Sequence, residues 1–245
     1  MIDLHCHLLP GIDDGAETME QSLELARLAV QDGITHCVVT PHIHPGRWNN
    51  SRDTILEQVE QFRVAMREQE IPLQIGFAAE VRITDLIFEQ LENDHLPFLG
   101  SHDGKNLLLL EFPHNQLIPG AGKLIQWLKE SHIQPVIAHP ERNREVMRNP
   151  KSMRFLFDAG CYIQVTAGSL VGKFGEAAQR VAEQLLKEDK ITVVASDAHN
   201  SKNRPPILSE ARQRISELVG SNKARQLLWD TPVQLVGKQF ADLAE

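Results

Sequence analysis

The sequence predicts an α/β fold in which short buried strands alternate with amphipathic helices around a parallel sheet. Apolar, β-branched runs of strand length recur seven times along the 245 residues, and helical patterns lie between them. Several runs are apolar on successive residues instead of alternating, as strands covered on both faces must be. Such alternation admits an open sheet or a closed barrel. No repeat, low-complexity tract or Gly/Ser-rich linker divides the chain, so residues 1–245 read as a single domain.

The first strand is expected at 2–6. A helix follows in which Met19, Leu23, Ala26 and Val30 fall at i, i+4, i+7 and i+11, and Gly33 stops it. Further strands are expected at 35–40, 73–79, 107–112, 134–138, 160–165 and 191–196. Helical patterns cover 51–69, 84–92, 121–131, 151–158, 174–189 and 208–219, and a last stretch near 222–229 runs into the tail.

Acidic residues outnumber basic ones, 33 to 25, for a formal charge of −8. That sign gives no general attraction to nucleic acid or to anionic membranes. No apolar stretch is long enough to span a bilayer, so membrane insertion is not expected. The three cysteines, Cys6, Cys37 and Cys161, are scattered and odd in number, which fits a reducing compartment. No secretory signal is visible, and the expected location is cytoplasmic.

Polar residues cluster at the predicted strand ends. The first strand ends in His5 and His7, the second in Thr40-Pro41-His42, the third in Glu80 and the fourth in Glu111. The fifth ends in His139 and the seventh in Asp197 and His199, while the sixth offers only Gln164 and Thr166. In a parallel α/β barrel these ends converge on one rim, where the chemistry is placed. Alternate strand residues share a face, so His5-x-His7 and Asp197-x-His199 each aim two donors one way. Imidazole with carboxylate suits Zn, Mn or Fe better than Ca. Each element has an ordinary reading too: His42 as a loop histidine, Glu80 as a solvated charge. Glu111 follows four leucines and resists it, because a buried unpaired carboxylate is costly. Asp14, in Gly11-Ile-Asp-Asp-Gly15, could instead cap the first helix, and Asp13 could equally do so.

With Asp14, the candidates number nine. One ion cannot use nine ligands and stay open; two would be crowded, and three leave positions for water and substrate. Three divalent ions against four carboxylates leave a positive well suited to a phosphate dianion. Arg142 and Arg204 lie close to the rim and could clamp phosphate oxygens, or pair with an acid such as Glu141.

In combination these residues resemble the PHP (polymerase and histidinol phosphatase) superfamily. Within it they resemble the bacterial tyrosine-protein phosphatases of capsule and exopolysaccharide operons, the CpsB/YwqE-like family. The resemblance is carried by residues 1–16, Thr-Pro-His at 40–42, Glu80-Val-Arg, Leu-Glu-Phe-Pro at 110–113 and Ala-His-Pro-Glu-Arg at 138–142. Gln-Val-Thr-Ala-Gly-Ser-Leu at 164–170 and Ser-Asp-Ala-His at 196–199 complete it. It implies a distorted (β/α)7 barrel, TIM-barrel-like, with three divalent metal ions, usually Mn. By resemblance, His5, His7, Glu80 and Asp197 hold one ion, and Glu80 bridges to a second held by Glu111 and His139. Asp14, His42 and His199 hold the third, and Arg142 and Arg204 bind phosphate. His44 could be a rim residue contacting substrate or product. The implied substrate is the phosphotyrosine tail of a membrane-associated bacterial tyrosine kinase that controls polysaccharide export.

The cysteines agree with metal chemistry. Thiolate-dependent tyrosine phosphatases need Arg six positions after the Cys, whereas Ile12, Ile43 and Ala167 occupy those positions here. The expected reaction is in-line attack on phosphorus by a metal-bridging hydroxide. Two rivals remain at this level: a small-molecule phosphatase of the histidinol-phosphate type, and a non-catalytic metal-binding regulator.

Overall fold

A computed structural model of the chain describes residues 1–243. Ten strands are present: β1 (Ile2–Cys6), β2 (His36–Val39), β3 (His42–Ile43), β4 (Gln74–Phe77), β5 (Glu80–Arg82), β6 (Gly100–His102), β7 (Lys105–Glu111), β8 (Ile133–Ala138), β9 (Tyr162–Thr166) and β10 (Val193–Ala195). Between them run the helices α1 (Met19–Gln31), α2 (Arg52–Glu68), α3 (Ile87–Glu92), α4 (Ala121–Glu130), α5 (Arg144–Arg148), α6 (Arg154–Asp158), α7 (Ala167–Leu170) and α8 (Glu176–Lys187). After β10 come α9 (Ser209–Val219), α10 (Ser221–Arg225) and α11 (Thr231–Val236).

The ladder β1-β2-β4 and the ladder β3-β5-β7-β8-β9-β10 are both parallel throughout. They are parts of one ring. The second and third predicted strands each continue past a break, β2 into β3 and β4 into β5. The first break falls at Thr40-Pro41, where proline has no N–H to give the ladder, and the Glu80 amide donates to Thr40 O and Pro41 O instead. The ring closes where β10 meets β1: Asp197 N donates to His5 O and His7 N to Ala198 O, each at 2.8 Å. The result is the distorted (β/α)7 barrel that the resemblance implied, the closed one of the two arrangements the strand pattern left open.

Continuous apolar strands follow from having two buried faces. Leu107 and Leu109 face the barrel lumen with Leu4, Val38, Val136 and Val193, while Leu108 and Leu110 pack outward with Leu25, Phe62, Ile125 and Val181. The first strand changes face midway. Ile2 and Leu4 belong to the lumen and Cys6 to the outer layer, and the β1–β2 register is irregular between Asp3 and Cys6. A bulge of this kind re-aims the residues beyond it, so His5 and His7 emerge on the lumen side at the carboxyl rim.

Three features depart from the sequence reading. The 151–158 helix is split: a 3-10 turn at Pro150–Met153 precedes α6, and α5 is an additional element. A short hairpin adds β6 antiparallel to β7. Its turn is Asp103-Gly104, both at positive φ (49° and 72°), an Asp-Gly signal legible in principle. Residues 230–239 are helical, and Leu235, Val236 and Phe240 plug the base of the lumen. Gln239 accepts the Phe77 N–H and donates to Leu99 O. Gly100 is required there, since a Cβ would lie 2.1 Å from Leu235 O.

Candidate metal centre

The nine predicted donors converge at the carboxyl rim in overlapping groups. His5, His7 and Glu80 lie together; so do His5, His139 and Asp197; His42, Glu80 and Glu111; and His7, Asp14, His42 and His199. All but Asp14, which lies on the loop after β1, sit on a strand or just past its end. His42 and Glu80 are register partners on β3 and β5, Glu111 ends β7 on the lumen face, and His139 and Asp197 follow β8 and β10. The last two adopt positive φ, 30° and 54°, a conformation costing on the order of 1–3 kcal/mol for a non-glycine residue. Such strain, at two donors that close one site, is typical of a constrained functional centre.

The innermost group has the dimensions of a metal cage. His5 Nε2 is 3.3 Å from His7 Nε2, 3.3 Å from Glu80 Oε2 and 3.6 Å from Asp197 Oδ1. His7 Nε2 is 3.4 Å from Glu80 Oε2 and 3.5 Å from Asp197 Oδ1. A tetrahedron with edges near 3.4 Å has its centre about 2.1 Å from each corner, the usual metal–nitrogen and metal–carboxylate distance. Glu80 Oε2 and Asp197 Oδ1 are buried and make no hydrogen bond among the described residues. Two desolvated carboxylate oxygens facing two imidazole lone pairs are costly unless a cation lies between them. The donor set therefore fits a bound divalent ion.

The histidines are held in one orientation from behind. His5 Nδ1 is 2.9 Å from Gln164 Oε1, His7 Nδ1 is 2.7 Å from Asp13 Oδ2, and His199 Nδ1 is 3.0 Å from Asp197 O. These acceptors place the proton on Nδ1 and turn each Nε2 lone pair inward. The same atoms order the neighbours, since Gln164 Oε1 accepts the His139 N–H and Asp13 Oδ2 the His42 N–H. Asp13 and Gln164 are the functional residues that strand-end reasoning passed over. The capping reading of Asp13 and Asp14 is corrected: α1 is capped by Thr18, whose side chain accepts the Gln21 N–H. Asp14 instead faces His42 Nε2 at 3.3 Å and His199 Nε2 at 3.4 Å. Gly15 permits this loop, because a Cβ there would lie 2.2 Å from His7 O.

Charge in the centre is set by burial and by mutual contact. Burial opposes ionisation of Asp197, yet Arg142, Arg204 and His5 hold it well below the usual carboxylate range. Glu80 is also held low against burial, by His5, His42 and His139. Burial and the neighbouring Glu80 push Glu111 up. His42 rises to about 9 against its burial because Glu80 and Asp14 face it, whereas burial and His7 push His199 down to about 4.

Arg142 Nη1 and Arg204 Nη2 both donate to Asp197 Oδ2, the latter at 2.5 Å. Their acidic partner is thus Asp197 and not Glu141, whose Oε1 accepts the Thr166 N–H and the Ser169 hydroxyl. The two arginines, with His44, Arg47, Trp48, Arg82 and His114, wall a narrow cleft of about 80 Å³ above the donors. Trp48 stacks on His42 with ring centroids 4.6 Å apart. Arg82 pairs with Glu111 at 2.7 Å. His44 stands on the rim outside the four donor groups, and burial and Arg82 lower its pKa.

The profile of the family described as capsular polysaccharide synthesis, CpsB/CapC, matches residues 1–237. The chain belongs to the CpsB/CapC family. Among members of that family, it is 38% identical over 221 residues to the Bacillus subtilis tyrosine-protein phosphatase YwqE, covering 90% of this chain and 86% of that protein. It is 32% identical to the Streptococcus pneumoniae tyrosine-protein phosphatase CpsB, covering 98% and 100%. Its backbone superposes with a TM-score of 0.90 and 35% identity on a crystal structure from work on YwqE and CpsB as metal-dependent tyrosine phosphatases, covering 98% and 96%. A protein of Acinetobacter baumannii described as a probable 2-pyrone-4,6-dicarboxylic acid hydrolase, at TM-score 0.57 and 16% identity over 96% and 98%, shares the fold alone.

Proposed function

We propose that this CpsB/CapC member is a metal-dependent protein-tyrosine phosphatase, with Mn as the working metal. The observation that carries the reading is the gathering of nine histidine and carboxylate donors at one barrel rim, beneath a narrow cleft walled by Arg142 and Arg204. His5, His7, Glu80 and Asp197 would hold the first of three ions. Glu80, Glu111 and His139 would hold the second, with His139 Nε2 2.7 Å from Glu80 Oε1, and Asp14, His42 and His199 the third, in a group that also includes His7.

Bound divalent ions supply a deprotonated water nucleophile at neutral pH and neutralise phosphate charge. The remaining work belongs to the chain. Asp13 and Gln164 hold His7 and His5 so that their lone pairs face inward. Arg142 and Arg204 bind the non-reacting phosphate oxygens, and a guanidinium fork does so with matched geometry. The narrow cleft aligns the ester for in-line displacement. Phenoxide, with a pKa of about 10, departs without a strong acid. His44, with its lowered pKa, serves as a hydrogen-bonding rim residue.

The substrate is the phosphotyrosine tail of a membrane-associated tyrosine kinase governing capsule or exopolysaccharide export. The location is cytoplasmic. Three cysteines that are buried and free support that compartment, and no helix among the described residues is long and apolar enough to cross a membrane. The test compares kcat/KM of Mn-loaded protein on a phosphotyrosine peptide and on histidinol phosphate. Preference for the peptide supports the proposal; preference for histidinol phosphate replaces it with the small-molecule reading.

A further inference from the structure

Between α7 and α8 a tight turn carries Phe174 over the cleft wall. Gly172 and Gly175 flank it at φ 81° and 86°, and Lys173 N and Gly175 N donate to Gly168 O and Gly172 O. The ring lies beneath both arginines. Arg142 Cζ is 4.2 Å from its centroid and Arg204 Cζ is 5.9 Å away, within the reach of a cation–π contact. Room for the ring depends on Gly168, where a Cβ would stand 2.9 Å from Phe174 Cε2.

Two like-charged guanidiniums share one carboxylate oxygen, Asp197 Oδ2. One oxygen cannot fix the planes of both, and the charges repel each other. The Arg204 Nε–H is buried and has no acceptor among the described residues. A donor left unpaired at the cleft wall costs free energy that an incoming oxyanion would recover. The negative face of the Phe174 ring lies within cation–π reach of both guanidiniums.

We propose that Phe174 is a positioning residue that holds Arg142 and Arg204 side by side, with their free N–H groups presented to a phosphate dianion. This rests on the reading that the two arginines bind phosphate. The ring is not one of the metal donors, so it acts on phosphate affinity and leaves the metal centre intact.

The experiment uses Mn-loaded protein with 4-nitrophenyl phosphate as substrate and inorganic phosphate as competing ligand. Phe174→Leu keeps apolar volume and removes the ring face. It should raise KM and the phosphate inhibition constant about three- to tenfold, the scale of a partly desolvated cation–π contact, while kcat and metal content stay within about twofold. Phe174→Tyr should restore both constants. Gly168→Ala, which displaces the ring and alters no charge, should shift them in the same direction. A readout independent of turnover is the NMR of arginine Nε–H groups, where ring-current shifts present in the parent should vanish in Phe174→Leu. Unchanged KM, inhibition constant and ring-current shifts in Phe174→Leu would overturn the proposal, as would a fall in kcat and metal content at constant KM. If the parent binds phosphate and Phe174→Leu weakens that binding while no phosphate ester is cleaved, the positioning role stands and the phosphatase reading falls.

Discussion

His7 Nδ1 lies 2.7 Å from Asp13 Oδ2, and the same oxygen accepts the His42 N–H at 3.0 Å. One buried carboxylate that binds no ion in the proposed scheme thus orients two of the donors that do. Its second oxygen accepts the Gly15 N–H and secures the loop carrying Asp14. Asp13→Ala should lower metal affinity about 10- to 100-fold, the usual cost of losing an outer partner of a ligating histidine. Calorimetric titration of chelator-stripped protein with Mn checks this, and an affinity equal to the parent's would contradict it.

Gln164 makes the corresponding contact to His5 and to the His139 N–H from β9. Gln164→Leu fills similar volume and cannot accept either proton. Its expected signature is loss of metal affinity together with a moderate fall in the metal-free melting temperature, because two buried donors lose their acceptor. A large drop in that temperature with normal metal binding would make Gln164 a packing residue only.

Arg204→Ala should act differently from both. It removes a proposed phosphate ligand and leaves the donors in place, so KM should rise about tenfold or more with metal content unchanged, in keeping with a charge-assisted hydrogen bond. Steady-state kinetics with an aryl phosphate and metal analysis on one preparation decide it. An unchanged KM would remove Arg204 from the phosphate site.

The thiols should be silent. Burial pushes Cys161 up to about 12, and Cys6 and Cys37 are fully buried. A raised thiol pKa means less thiolate at pH 8 than an exposed cysteine has, and thiolate is the reactive form. Iodoacetamide at pH 8 should leave the folded enzyme active and unalkylated by mass spectrometry. Inactivation in step with alkylation would point to thiolate chemistry.

Glu141 anchors the turn that carries Arg142. It is buried, accepts two hydrogen bonds from the segment leading into α7, and burial raises its pKa. Glu141→Ala leaves two buried donors unpaired and should cost roughly 2–4 kcal/mol by denaturant unfolding. Glu141→Gln retains an acceptor and should cost less.

Much of this centre was legible because its donors sit at strand ends, and strand ends show in sequence as apolar runs closing in polar residues. His5, Glu111, His139 and Asp197 were readable in that way. Asp13 was not, because an aspartate beside a helix start looks like a cap, and only three-dimensional placement puts it behind His7. Gln164 was visible at a strand end but carries no ligand chemistry of its own. The face change in β1 depends on a register irregularity, which a period-two pattern cannot express. Ring closure between β10 and β1 rests on two backbone hydrogen bonds beyond the strand itself, and backbone bonds leave no mark on side-chain type. Phe174 reads as an ordinary loop aromatic until both arginines are placed above it.

The most direct test is phosphate release from a phosphotyrosine peptide by three preparations: chelator-stripped protein, the same protein reloaded with Mn, and Mn-treated Asp197→Ala. Asp197 joins the metal cage to both arginines, so its loss should abolish turnover. The account predicts release by the reloaded parent alone. Release by the stripped protein, or near-parental release by Asp197→Ala, would contradict it.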